Sequence, residues 1–403
     1  MSRAVAHHYV PVWYQRRFLG PDESTYFYLD LHPDVVTSAG GKKYTRRDLL
    51  PWSPKRCFYR DDLYSVSLGE AFSDEIERKF FGRIDETGKS AVEFFSKYSC
   101  YDDNLHEHYQ NLVRYMDAQR CRTPRGLEFL GRLSKVKNRN AVLVLLNKIF
   151  QLHATMWMEG IWEVVHARSS PTKFIVTDGP VTFFNSKCFP GSAQCKFPDD
   201  VPLHWLGTRT LFPLGPEACL LITHVGFTRD PWANQKRSRI NARSYQQTMT
   251  SLLDIQFGRE LTEEEVLRVN YILKRRATRD VASSNKEWLF PEKNLMPIHW
   301  SKLDDDWFLF PHLWKVRFSS GIVMGFKGGG GFAMDEYGRR PRQVGYQDKK
   351  TRDREWTSHL RAREEWAVKR AGFSISHVDK HNHDEVDDEL MADFLAKRRR
   401  LQA

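Results

Sequence analysis

Two adjacent histidines sit in the run AHHYVPVWYQRRFLG (Ala6–Gly20). Histidine changes charge near neutral pH and serves as proton donor, acceptor or metal ligand. On an extended chain neighbouring side chains point to opposite faces, so His7 and His8 are not expected to serve one site together. His8, which leads directly into Tyr9, Val10 and Pro11, is the one expected to act as an acid or base. The second such group is Asp178, at the end of KFIVTD (Lys173–Asp178) and just before Gly179 and Pro180. A strand end delivers a side chain to the rim of a sheet with its backbone fixed, which suits a proton-transferring carboxylate. Asp-Gly-Pro is also good turn chemistry, so the spacing serves either purpose. Glu77, one position after the apolar Ile76, is a second carboxylate, on a helical stretch.

Other groupings carry less chemistry. His377, Asp379, His381, His383 and Asp384 have the composition of a metal cluster but lie in a charged tail, where solvated side chains are the ordinary reading. The six cysteines (Cys57, Cys100, Cys121, Cys188, Cys195, Cys219) include no C-x-x-C pair, which argues against a zinc ribbon or a thioredoxin-type centre and for reduced, mostly buried thiols. The run MGFKGGGGFAMDEYGRRPR lacks the Lys-Ser/Thr pair that a phosphate-cradling P-loop needs, so it is read as a linker or loop.

The net charge of +11 suits an acidic partner. The excess is uneven: Lys42–Arg60 holds seven Lys/Arg against one acid, Arg114–Arg139 eight against two, and Arg229–Arg243 five against one. Tyr44, Trp52, Phe58, Tyr59, Trp232 and Tyr245 lie among or beside these clusters. Basic groups hold phosphates while aromatic faces stack bases, so nucleic acid is the expected partner.

These side chains must be placed by a fold. STYFYLDL (Ser24–Leu31) is strand-like, and residues 33–60 read as a long loop. Ser73 is expected to cap a helical stretch that runs to Tyr98 and is broken near Gly88; Thr123-Pro124 starts another helix. Asn140–Arg168 reads as one long buried helix. Short strands follow in TKFIVTD, VTFFN, TLFPL and ACLLITH, and helices return at Arg239–Gln256 and Thr262–Arg276. Long helices around grouped short strands predict an α+β fold. The expected organisation is a main domain over residues 1–300, a Gly-rich linker or loop over 301–338, and a charged helical tail over 339–403. With no apolar run long enough to cross a bilayer and no signal-type N-terminus, a cytoplasmic protein is expected.

The segments HHYVPVWYQRRF (His7–Phe18), DLYS (Asp62–Ser65), Ile76-Glu77, RTP (Arg122–Pro124), FIVTDGPV (Phe174–Val181) and FPLGP (Phe212–Pro216) together resemble the domain-of-unknown-function family numbered 4238. That family's acid segment reads closer to SDNPV; here Thr177 and Gly179 stand for its Ser and Asn. Members occur among candidate antiviral defence genes of bacteria, so the resemblance implies a role against phage and supplies no settled catalytic residues.

Two chemistries on nucleic acid compete. A metal-dependent nuclease, acting on phage or host nucleic acid, needs several carboxylate or His ligands around an ion. A base-excising glycosylase needs a basic groove, an aromatic pocket for a flipped base and a carboxylate, with no metal or other cofactor. The expectation is a metal-independent DNA glycosylase that excises modified bases from phage DNA. In it Asp178, His8 and Glu77 carry the catalysis, while His7, Arg16, Arg17, Arg122, Asn185, Lys236 and Arg237 contact nucleic acid. The alternative to either enzyme is a non-catalytic phage sensor or binding module.

Overall fold

Gly160–His166 (GIWEVVH) carries Ile, Trp and two Val, whose branched or broad side chains suit a pleated surface better than a helix. It is a strand buried along its whole length, near the centre of a five-stranded sheet ordered 182–184, 209–215, 218–224, 160–166, 256–260. The expected helix over 140–168 is therefore corrected in its second half: residues 140–143 are helical, 144–151 lie outside the described residues, and a short helix, Ala154–Met158, ends before Gly160. With both faces covered, the strand shows no alternation that a reader of the sequence can use. Pairing is antiparallel throughout except between 256–260 and 160–166. Across that parallel pair Arg259 grips Glu163 with both arms, at 2.8 and 2.7 Å.

A computed structural model describes residues 6–38, 40–68, 71–73, 81–138, 140–143, 152–239, 252–316, 322–325, 327–335 and 339–371. Its class is α+β, as the sequence predicts. A second, antiparallel sheet is ordered 176–177, 280–283, 26–30, 49–52, and it frames the site below. Residues 33–60 are not a bare loop: they hold strands Val35–Thr37, Lys43–Thr45, Leu49–Trp52 and the start of Tyr59–Asp61, which pairs with Ala6–His8.

The helices Gly82–Ser96 and Leu105–Arg122 pack on the first sheet, and Pro124–Leu133 follows with the Thr123 hydroxyl accepting from Gly126 N–H as its cap. Ser73 ends strand Ala71–Ser73, and residues 74–80, with Glu77 and the start of the helix that Ser73 is expected to cap, lie outside the described residues. The helix also runs unbroken through Gly88, because there the missing side chain admits the Tyr115 ring: a Cβ would stand 2.5 Å from Tyr115 Cδ2. Gly88→Leu is expected to destabilise the fold by about 1–3 kcal/mol, the usual cost of overpacking, read as a lower urea midpoint at unchanged m-value.

Glu263–Arg276 forms its expected helix, capped reciprocally by Thr262 and Glu265. Within the expected helix 239–256, residues 240–251 lie outside the described residues, and Gln256 already starts a strand. The Gly-rich run turns a hairpin between Ile322–Gly325 and Gly331–Met334. The tail helix Lys349–Trp366 buries Ala362 and Trp366 in a cluster with Trp307, Phe310, Leu313 and Val316. His377, Asp379, His381, His383 and Asp384 lie outside the described residues. Among the described residues no helix is long and apolar enough to cross a membrane.

Candidate active site

The rim of the second sheet meets the start of the helix at Pro124 around a cavity of about 360 Å³. Small-molecule sites span ~300–1,000 Å³, so the space suits one nucleoside rather than a duplex. Tyr9, Tyr28, Trp52 and Phe58 form an aromatic wall, in which Tyr28 stacks on Trp52 with ring centres 5.4 Å apart. Arg46, Arg56, Arg60, Arg120, Arg125, Arg276 and Arg279 also line the cavity, as do Asp30, Asp178, Asp200 and Asp280.

The basic groups divide into two sets. Arg120 and Arg276 both pair with Asp200, Arg279 pairs with Asp30 at 2.7 Å, and Arg125 donates to the backbone of Pro198, Asp199 and Arg276. These four shape the wall. Arg46, Arg56 and Arg60 are exposed and have no carboxylate partner among the described residues; Arg56 lies 5.3 Å over the Trp52 ring. They are free to meet phosphate at the cavity mouth.

Asp178 stands where the sequence places it, just after strand Val176–Thr177, and lines the cavity. Its oxygens are largely spent: they accept from the backbone N–H groups of Thr278 at 2.9 Å, Arg279 at 2.7 Å and Asp280 at 3.3 Å. Burial pushes its carboxyl up, against the pull of those amides and of Arg125. In return Asp178 N–H donates to Asp280 C=O at 3.0 Å, so the two segments are locked together. Asp178 thus positions the segment that delivers Asp280.

Asp280 begins strand Asp280–Ser283, and the Tyr9 hydroxyl reaches its Oδ2 at 3.4 Å. Burial, then the neighbouring Asp178 charge, pushes its carboxyl up to about 7, against a hydrogen bond from Tyr28. A carboxyl that is half protonated at neutral pH both gives and takes protons, the property that general acid–base catalysis needs.

A family model described as "Protein of unknown function (DUF4238)" matches residues 6–287. The chain belongs to that family. No curated protein and no solved structure matches it. The family match contains His7, His8, the aromatic wall and the four cavity aspartates, and ends well before the tail helix Lys349–Trp366.

In this DUF4238 chain the other expected site residues disperse. His8 is half-buried beside the cavity without lining it: its Nε2 stands 3.1 Å from Lys55 C=O, its ring leans on Tyr59, and burial lowers its pKa. His7 is buried, stacks on Tyr64 and takes the Tyr64 N–H on Nδ1 at 2.9 Å. Arg122 is buried against Gln119, Asp85 and the Phe81 and Tyr115 rings. Asn185 is buried and bonds Thr208 and Gln235. Arg17 ties Leu214 C=O to Ser96, while Arg16, Lys236 and Arg237 are exposed away from the cavity lining.

Among the described residues one group has metal-ligand composition, Asp117, Cys121 and His153, and it is buried outside the cavity lining. Asp117 there already accepts the backbone N–H groups of Leu152 and His153, and burial pushes the Cys121 thiol well up, so the set works as a tie between chain segments. Sequence reasoning missed Asp280, Tyr9 and Arg125. The basic-aromatic stretch 42–60 does supply residues of the cavity lining, whereas Asp280 is marked only by its place at the head of the short strand DVAS, alongside Asp178 in the folded sheet.

Proposed function

We propose that this chain is a cytoplasmic, metal-independent DNA glycosylase that excises modified bases from phage DNA. The observation that carries the reading is Asp280: a buried carboxyl, pushed up to about 7, at the floor of an aromatic cavity whose mouth holds exposed arginines. In this reading Arg46, Arg56 and Arg60 hold backbone phosphates while a flipped nucleoside enters along Trp52 and Tyr28. Protonated Asp280 gives its proton to the departing base as the bond from base nitrogen to sugar carbon breaks. The carboxylate so formed offsets the positive charge on the sugar, then takes a proton from the water that adds to the same carbon. Asp178 holds Asp280 in place, and the phage-defence setting rests on the family resemblance alone.

The test is incubation of the purified chain with unmodified DNA, phage DNA carrying modified cytosines, and RNA, with and without chelator. Abasic sites in the modified DNA, formed equally with chelator present, are the expected result. Strand breaks that chelator abolishes would transfer the cavity to a nuclease, and no reaction on any substrate would leave it a binding site.

A further inference from the structure

The segment after strand Thr182–Phe184 folds back on itself in successive turns. Cys188 N–H donates to Asn185 C=O at 3.0 Å, Ser192 N–H to Phe189 C=O at 3.2 Å, and Cys195 N–H to Ser192 C=O at 2.8 Å, closing a short 3-10 turn at Ala193–Cys195. Gly191, at φ +85°, takes the left-handed conformation that the reversal requires. The result brings Cys188 Sγ and Cys195 Sγ to 2.6 Å, with Ser192 Oγ 3.5 Å from Cys188 Sγ. That is inside ordinary sulfur–sulfur contact and close to the bonded distance of ~2.05 Å.

The other four cysteines differ. They differ in their partners and not in burial, since Cys188 and Cys195 are buried too: Cys57 donates to Ser53 C=O, the Cys121 and Cys219 thiols are pushed up by desolvation, and Cys100 is half-buried. Cys195 faces the Arg276 guanidinium, and this cation together with the Cys188 thiol favours its thiolate. Thiolate character next to a second thiol is what makes a cysteine pair oxidisable.

We propose that Cys188 and Cys195 are an oxidisable dithiol, a modification site at which hydrogen peroxide converts the two thiols into a disulfide behind the cavity wall. The Cys195 thiolate attacks one peroxide oxygen; the O–O bond breaks, and the departing hydroxide takes a proton to become water. The Cys188 sulfur then attacks the sulfenic sulfur of Cys195; the S–S bond forms, the S–O bond breaks, and a second water leaves with the Cys188 proton. Two thiols and one peroxide thus give one disulfide and two waters. Oxidation removes the sulfur counter-charge from Arg276, a residue of the cavity wall that shares Asp200 with Arg120, so the redox state of the pair reaches the cavity.

The test is covalent and independent of any activity at the cavity. Trypsin releases both cysteines in a single peptide, Cys188–Lys196. After brief treatment of the full folded chain with hydrogen peroxide, then alkylation in denaturant, this peptide is expected to carry no alkyl group and to weigh two hydrogens less than the reduced, unalkylated peptide, while the Cys57, Cys121 and Cys219 peptides stay alkylated. In Cys188→Ser, Cys195 is expected to stop at the sulfenic acid, which dimedone traps. A Cys188–Lys196 peptide that remains doubly alkylated at doses that already oxidise Cys100, or a Cys188→Ser chain that yields no trapped sulfenic acid, overturns the proposal.

Discussion

Asp280→Asn is expected to abolish base release, by about 10²–10⁴-fold, while making the folded chain more stable above pH 7. The two effects share one cause. Burial pushes the Asp280 carboxyl up to about 7, so the folded chain keeps that proton through a range in which the unfolded chain has lost it. The folded state binds the extra proton between the ordinary carboxylate value of 3.8 and about 7, and stability therefore falls as pH rises through that window. Above it the buried charge costs up to about 4 kcal/mol, the equivalent of the shift. The neutral amide removes that cost and, with it, the proton donor. Thermal melts of wild type and D280N from pH 3 to 9 are expected to converge below about pH 4, where the carboxyl is protonated in both folded and unfolded chains, and to separate in favour of the variant as pH rises to about 7. Wild-type turnover is expected to decline as pH passes about 7 because the protonated form is the one that acts. A variant that loses activity together with stability at pH 8 would make Asp280 a structural group.

Several elements were legible because local chemistry and tertiary packing agree. Thr262 with Glu265, Thr123 with Pro124, and the apolar runs at 209–215 and 218–224 each announce an element that the fold retains. Gly160–His166 was not legible, because a strand covered on both faces lacks the apolar–polar alternation of a half-exposed one and reads like part of a buried helix. Gly88 misled for a related reason: a glycine inside a helix signals a break only until the ring that needs its space is known.

The site divides in the same way. Asp178 was readable from the strand end that carries it, but its role was not, since the amides it binds come from residues 278–280. Arg122 and Asn185 belong to polar networks that bury them, and a sequence does not reveal which polar side chains are spent internally. Asp280 has no motif at all; its altered acidity is a property of the surroundings that the antiparallel pairing of 176–177 with 281–282 assembles.

Asp178→Asn separates positioning from chemistry. The wild-type carboxylate presents only acceptors to three backbone donors. An amide in its place turns one end into a donor facing a backbone donor in a buried spot. The expected cost is about 2–4 kcal/mol, from charge-assisted hydrogen bonds lost and a donor left unmatched. A second consequence distinguishes this residue from a mere brace. The Asp178 charge is one of the causes that push Asp280 up, so its removal is expected to bring Asp280 back toward the ordinary carboxylate range. The decline of turnover with pH then begins at lower pH in D178N than in wild type, and less of the variant is active at neutrality. Substrate affinity, set by the aromatic wall and the exposed arginines, is expected to change less than turnover. Turnover against pH at 15 °C, where the weakened variant stays folded, measures all of this. An unchanged pH midpoint would mean that Asp178 acts on the fold alone.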